Sequence, residues 1–502
     1  MSSHSFPKRD KFQRIVSEIG WTMSSSIMLV LTGFFLNVIL GNLLGLDGLG
    51  VYTVAVTIYM LTTTLTVIGL PIVLLKFTAE YKNQSDISSQ FYTASLIIVL
   101  ATTILTSLLL FLLRYPIAAI FNMSELVELL AILAVGIPFY GLNKIAMARL
   151  NGLRYMGRLA SIEIFRYLLM LGLTIAGVVW LQKGLYGAAW ALTIAEVLLF
   201  PFLFGLTRIY QDFNLTNFRL RCAILVGVGK QVTLSRIIED LDARLSVLLV
   251  GLFLTKSEVG IYSFAVLMAD GLLVLPATLN KVTGPVITQL HSQGKSSSLE
   301  ELINQTMQIA AFLLMLCGGL VVAFYSPIVN LLFPNEPGFL IAEMAFIILA
   351  FGSVFQGITI SVGLVFVGVN RPDVLIKINI QRLIINFVTA LLLVNLFRIE
   401  GAALSKTLTA FVIFIVRTQT MARVANLHVE FKPLFLIPLF GAIIVLSTQI
   451  IQISSIYTYL SSIFLWSLFA LVVIRLLHFE RYLIHLKQMF IAITRIKVES
   501  NL

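Results

Sequence analysis

The stretch DGLGVYTVAV at residues 47–56 returns as SEVGIYSFAV at 257–266, so that Gly50 and Tyr52 fall on Gly260 and Tyr262 at an offset of 210. EIFRYLL at 163–169 is echoed by NIQRLII at 379–385, an offset of 216. LYGAAWALTI at 185–194 is echoed by IEGAALSKTL at 399–408, an offset of 214. Three matches in the same order, at a nearly constant offset, argue that the second half of the chain repeats the first. The competing explanation is that Gly and other small residues recur in membrane helices because they let backbones approach closely.

Everything around these echoes is apolar. Of 502 residues, 59% are hydrophobic and only 12% charged, with a mean hydropathy of +0.98. A soluble domain carries about 45–50% apolar and about 25% charged residues, so ordinary soluble enzymes, disordered chains and disulfide scaffolds are excluded. The apolar runs are long and continuous, unlike the alternating ten-residue segments of a membrane β-barrel. The expected class is therefore an all-α polytopic membrane protein with about 14 transmembrane helices, each about 20 apolar residues long. No secretory signal is visible, and the first apolar run reads as a first span. Cys222 and Cys317 lie far apart in apolar runs and suggest neither a disulfide framework nor a metal site.

Charge placement tests this map. With fourteen spans, 27 of the 35 basic residues fall on the side of the N-terminus, and only Arg114, Lys183, Lys256 and Arg398 fall on the other. A wrong span count would scramble that split. Basic loops stay on the cytoplasmic side, so both termini are expected there, and the net charge of +11 reports topology rather than nucleic-acid binding. The chain divides into a cytoplasmic N-terminus (1–18), an N-lobe of six spans (19–221), a C-lobe of six spans (222–432), two appended spans (433–477) and a basic amphipathic tail (478–502) suited to the inner-leaflet surface. Six spans per half is an even number, so the two six-helix repeats run parallel. In that arrangement transporters place their substrate path between the halves. Pro71, Pro138 and Pro276 are expected to kink their spans. All five histidines fall in loops or tails, which argues against His-based chemistry within the membrane.

Two segments resemble a known family. LGLDGLGVYTVAVTIYMLTTTLTVIGLPIVLLKFTAEY, residues 44–81, resembles the opening module of the polysaccharide-transporter branch of the MOP superfamily of multidrug, oligosaccharide-lipid and polysaccharide exporters. The residues that carry the likeness are Gly48 to Tyr52, Gly69-Leu70-Pro71 and Lys76 to Tyr81. GLVFVGVNRPDVLIKINIQRLIINFVTALLLVNLFRIEGAAL, residues 363–404, is similar to the C-terminal module of the same family. The resemblance covers roughly 15–430. It implies V-shaped lobes and a flippase that moves polyprenyl-diphosphate-linked oligosaccharide outward without ATP, with polysaccharide biosynthesis enzymes as possible partners. The first span carries Ser24, Ser25, Ser26 and Asn37 but no Arg, a departure from the members that flip the peptidoglycan precursor.

The residues themselves locate the chemistry in span seven. Arg236, Glu239, Asp240, Asp242 and Arg244 lie within nine positions. Eleven residues separate Arg244 from Lys256 and cover about 17 Å, too little to cross a ~30 Å core. Part of the stretch therefore lies at membrane depth, with Gly227 and Gly229 as expected bend points. Each charge facing lipid would cost about 2.5–3.5 kcal/mol, so the face must meet a water-filled cavity or a partner network. In one reading Arg236 and Arg244 bind the diphosphate, since the guanidinium fork matches phosphate oxygens, and the acids hold a coupling Na+ or H+. In the other, Arg236, Asp240 and Arg244 form an i,i+4 ion-pair ladder. Arg166 and Arg382 occupy matching repeat positions and either receive the diphosphate or snorkel to the interface. Lys406 is expected to line the cavity, with Asp270 as a weaker cation candidate. Glu163 and Glu196 are further ionisable residues within spans. Asn37, Gln356, Asn379, Gln381 and Asn386 are candidates for hydrogen bonds to sugars.

GVGKQ at 227–231 lacks the spacing and the Ser/Thr of a phosphate loop, so no nucleotide cofactor is expected and an ion gradient or the membrane potential must supply the drive. An integral-membrane glycan polymerase or ligase would call for acids or His on large external loops, and here those loops are short. A cation-coupled drug exporter of the same superfamily is the alternative within transport.

Overall fold

The computed structural model describes residues 8–207, 213–368, 371–450 and 455–476. The basic tail from 478 lies outside them. Every regular element among the described residues is helical: α1 (Lys8–Thr66), α2 (Leu70–Glu80), α3 (Ser85–Ile120), α4 (Leu126–Gly152), α5 (Met156–Ile175), α6 (Gly184–Thr207), α7 (Phe218–Phe253), α8 (Lys256–Leu272), α9 (Val274–Ser292), α10 (Ser296–Ala323), α11 (Tyr325–Leu332), α12 (Ala342–Ser361), α13 (Val365–Gly368), α14 (Pro372–Ala425), α15 (Phe431–Ile450) and α16 (Ser455–Leu476). A π-turn (Ala176–Trp180) follows α5, and a 3-10 turn (Pro337–Ile341) precedes α12.

Ten helical runs among the described residues are long and apolar enough to cross a membrane. The chain is a multi-pass membrane protein. Two of the runs, Met23–Thr66 and Asp373–Ala425, are broken inside, at Gly45 (φ 67°) and Arg398 (φ 52°). Beyond Arg398 the chain doubles back, and Gly401 packs directly on the carbonyl of Leu393. A Cβ at residue 401 would collide with that oxygen.

Of the three prolines expected to kink their spans, two stand at helix interruptions and one does not. Helix stops at 67–69 and resumes as α2 with Pro71 in its first turn, where a missing N–H costs nothing. The chain breaks again at Leu273, just before Pro276. Pro138, however, sits inside an uninterrupted α4. The bends expected at Gly227 and Gly229 are absent, since α7 runs helical from end to end. Gly229 serves packing instead: a Cβ there would stand 3.1 Å from the carbonyl of Ile68.

Packing divides the chain into two compact units. The first holds residues 1–264, 332–339 and 383–402, and the second holds 265–331, 340–382 and 403–502. In the first, Leu70, Leu74, Phe91, Val99, Ile145 and Leu225 form a core that ties α2, α3, α4 and α7 together. In the second, the Trp466 indole of α16 lies flat on Gly319 of α10, and Phe355, Phe411, Phe414 and Phe435 interlock α12, α14 and α15. An apolar cavity of about 420 Å³ opens between α10, α12, α14 and α15, with Thr407 as its single polar lining residue.

The duplication seen in the sequence recurs in the contacts. Thr193 Oγ1 donates to Ile132 O (3.0 Å) above Gly136, and Thr407 Oγ1 donates to Ile348 O (2.8 Å) above Gly352. Each residue of the second set stands 214 or 216 positions after its counterpart.

Candidate functional site: charged groups at membrane depth

The five charges of α7 keep to one stretch but do not form the expected ladder. Arg236 pairs with Glu239 at 3.7 Å, one turn on, and the two side chains are 55% and 44% exposed. Asp240 instead accepts a hydrogen bond from Thr64 Oγ1 of α1 at 2.5 Å. The buried Asp242 accepts one from Asn386 Nδ2 of α14 at 3.0 Å, and the same amide reaches its backbone oxygen at 3.3 Å. Neutral donors on other helices therefore hold two of the acids, and the i,i+4 pairing of Asp240 with Arg236 is corrected. Asn386, a candidate for bonds to sugar, makes this bond to Asp242. Asn37 likewise donates to Gly33 O of its own helix. Arg244 is half-buried on the same helix.

Arg166 also has a carboxylate partner. Its Nε donates to Glu196 Oε1 at 2.7 Å and its Nη2 bonds the same oxygen, while Asn143 Nδ2 donates to Glu196 Oε2 at 2.9 Å. Glu196 is 1% exposed and Arg166 7%. A guanidinium filled by a buried carboxylate is a strut, and its charge is balanced rather than presented to a diphosphate. Arg166 is the eleventh residue of α5, about 15 Å along the helix, which places it deeper than a snorkelling position. Arg382, its repeat counterpart, is half-buried on α14. In the second unit Lys406 Nζ lies 3.1 Å from Asp270 Oδ1, with side-chain exposures of 14% and 51%. Two candidates noted separately in the sequence thus form one ion pair, in a small polar recess with Ser353 and Gln356. The apolar cavity of the second unit is lined by none of these charged groups.

A further polar cluster joins the loop after the first arm of α1 to the start of α8, and here the repeat is exact in register. Gly50 faces the carbonyl of Lys256, and Gly260 faces the carbonyl of Leu46, its counterpart at the offset of 210. A Cβ on either glycine would collide with backbone. Asp47 bonds its own counterpart Ser257, and Thr53 Oγ1 donates to its counterpart Ser263 at 3.3 Å. Lys256 reaches both oxygens of Glu125 (2.6 and 2.8 Å), and Arg398 makes a two-point contact with Glu258 (2.6 and 2.7 Å). The hydrogen bond from Lys256 holds the Glu125 carboxyl below its ordinary range. The sequence shows Asp47, Gly50, Thr53, Ser257, Gly260 and Ser263 as a repeated stretch but not that the two copies touch, because tertiary packing alone brings them together.

Many helices long and apolar enough to cross a membrane, with contacts that recur between the two halves of the chain, define a multi-pass membrane protein built on an internal duplication. The profile of the family described as "Polysaccharide biosynthesis protein" matches residues 39–336, and the chain belongs to that family. It is 23% identical over 300 residues to the probable low-salt glycan biosynthesis flippase Agl15 of Haloferax volcanii, a match covering 60% of this chain and 61% of that protein's length. Among solved structures, the lipid II flippase MurJ in an inward closed conformation matches with a TM-score of 0.73 at 15% identity, over 93% of this chain and all of that one. The eukaryotic MATE transporter AtDTX14 matches with a TM-score of 0.62 at 16% identity, over 86% of this chain and 99% of that one. At these identities the structural likenesses establish the fold.

Proposed function

We propose that the protein is a flippase that carries polyprenyl-diphosphate-linked oligosaccharide, a precursor of surface polysaccharide, across the cytoplasmic membrane by alternating access. The observation that carries the reading is the exposed ion pair of α7. Arg236 and Glu239 are about half exposed at the middle of a 36-residue helix, where contact with lipid would cost about 2.5–3.5 kcal/mol for each charge. A water-filled path at that depth, with ionised walls, suits a charged and hydroxyl-rich head group. Family membership and the likeness to Agl15 support the same cargo class.

In this reading the chain crosses the membrane fourteen times, with two crossings in each broken run and one each by α7 and α16 beside the ten runs, and both termini are cytoplasmic. The repeats rock against each other, and the Gly50–Gly260 crossing parts when the path opens outward. Arg236, Arg244 and Arg382 attract the diphosphate. Asp240, Asp242 and Asp270 take the coupling Na+ or H+, and the lipid tail stays in the bilayer. The protein forms and breaks no covalent bond and holds no resident cofactor. Polysaccharide biosynthesis enzymes supply and consume the cargo.

The test is reconstitution of the purified protein into vesicles carrying a fluorescent polyprenyl-diphosphate oligosaccharide, with a membrane-impermeant quencher outside. The wild type is expected to expose the inner-leaflet probe faster than protein-free vesicles, and Arg236→Ala with Glu239→Ala to slow it by about tenfold or more. If the wild type matches protein-free vesicles while expelling a lipophilic cation, the drug-exporter reading takes its place.

A further inference from the structure

Three of the cations placed above have carboxylate partners: Arg166 has Glu196, Arg236 has Glu239 and Lys406 has Asp270. Lys144 on α4 has none. It is half-buried, no carboxylate among the described residues lies within ion-pair distance of its ammonium, and its contact is the face of the Tyr140 ring, 5.4 Å from Nζ to the centroid. α4 runs on past it to Gly152. Lys144 therefore sits about 12 Å inside the helix end. Its side chain does not snorkel toward that end. It folds over the residue one turn earlier, as the lean of side chains toward a helix N-terminus favours, and so points deeper.

What it points toward is already built. Tyr140 carries Lys144 on one contact and the Arg166 guanidinium on another, 5.6 Å from its centroid. The Tyr59 ring of α1 meets Tyr140 edge to face at 6.1 Å and ends in a buried hydroxyl with no hydrogen-bond partner. Lys144 thus lies where α4, α1 and α5 meet, within the first unit. A ring face only partly replaces the water an ammonium gives up. The aromatic platform aims the charge without neutralising it, and Glu196, the nearest acid in the network, is saturated by Arg166 and Asn143.

We infer that Lys144 is the phosphate-receiving group of the first repeat, poised on Tyr140 to bind the diphosphate of an incoming lipid-linked glycan. The inference rests on the flippase reading above. It assigns to Lys144 the part that Arg166, locked by Glu196, does not play. The ligand chemistry is a phosphate oxyanion, which both the cargo and ordinary anionic phospholipids offer.

The experiment is native mass spectrometry of the full-length protein in mild detergent, titrated separately with undecaprenyl diphosphate and with dioleoyl phosphatidylglycerol, for wild type, Lys144→Gln, Lys144→Arg and Tyr140→Leu. Lys144→Gln is expected to bind undecaprenyl diphosphate about tenfold or more weakly, Lys144→Arg to restore binding, Tyr140→Leu to fall between, and phosphatidylglycerol binding to be unchanged. Lys144 makes no ion pair, so an unaltered unfolding temperature checks that Lys144→Gln is intact. Equal binding of undecaprenyl diphosphate by wild type and Lys144→Gln overturns the inference and leaves the flippase reading standing. An equal loss of phosphatidylglycerol in Lys144→Gln makes the site one for bulk lipid headgroups and overturns the cargo assignment. A wild type that binds phosphatidylglycerol but no undecaprenyl diphosphate overturns the flippase reading itself.

Discussion

The two repeats share a scaffold and differ in charge. The Thr–carbonyl bond that locks α6 to α4 above Gly136 is reproduced between α14 and α12 above Gly352. Arg166 has its counterpart in Arg382, yet the position matching Glu196 is Ala410 and that matching Lys144 is Ile360. The ion pair Lys406–Asp270 of the second repeat stands where the first has Leu192 and Met60, and Asp240 and Asp242 match Val30 and Thr32. Backbone contacts that any such bundle needs were kept in both copies. Apart from the Arg166–Arg382 match, these charges stand in one copy only, so they answer to something other than the scaffold.

The sharpest way to break the comparison is at Glu196. Replacing it by Ala leaves Arg166 buried without its carboxylate and Asn143 without its acceptor. Removing one partner of a buried ion pair costs about 3–5 kcal/mol, so Glu196→Ala is expected to lower the unfolding temperature in detergent more than any other change considered. The double change Arg166→Met with Glu196→Leu should recover most of the loss, because a packed apolar pair replaces a buried ionic one at little cost. If Glu196→Ala melts like wild type, the pair is not a strut and Arg166 is available to a ligand after all.

A smaller effect comes from the turn before α6 and its counterpart. Gly184 adopts φ 53° there, and the matching residue Arg398 adopts φ 52° with ψ −127°. The fold demands a left-handed residue at this point, and only the first copy supplies glycine. A non-glycine residue held there stores about 1–3 kcal/mol, offset in part by the Arg398–Glu258 pair. Arg398 is 63% exposed, so solvent screening holds that pair to roughly 1 kcal/mol or less. Gly184→Ala is therefore expected to destabilise by about 1 kcal/mol or more, and Arg398→Gly to be neutral or mildly stabilising. Thermal unfolding of the two variants side by side checks the order, and the reverse order would mean that the Glu258 pair outweighs the strain.

The same contrast explains what was legible beforehand. Apolar runs and a duplicated stretch are local signals, so the helical class, the paired repeats and the breaks near Pro71 and Pro276 could be read directly. The charged stretch of α7 was equally visible, because five ionised residues in nine positions interrupt an apolar run. Their partners were not. Thr64, Asn386 and Glu196 lie far along the chain from Asp240, Asp242 and Arg166, and tertiary packing alone chooses them. Asn386 looked like a sugar ligand because an amide in a span has several uses. Lys144 carried no signal of its own, because a single lysine in a helix has no motif and packing alone sets its ring contact.

The smallest expected effect tests the polar cluster around the Gly50–Gly260 crossing. Glu125 precedes the first residue of α4 and is paired with Lys256, which holds its carboxyl below the ordinary value. A depressed carboxylate contributes stability that is fully present above its unfolded pKa, about 4.3. That contribution is lost as pH falls through the lower folded value. From pH 7 to about 5 the pair should therefore add no pH dependence, and the loss should begin below about 4. Both side chains are about one-third exposed, so the contribution is screened to roughly 1 kcal/mol or less. Other carboxylates titrate in the same range, and the quantity to measure is a difference: the fall in unfolding temperature between pH 6 and pH 3.5 for wild type minus that for Lys256→Met. A positive difference of a degree or two is expected. A zero or negative difference would show that Lys256 does not hold Glu125 ionised, and that the reciprocal packing of Gly50 and Gly260 closes this end of the bundle without help from the ion pair.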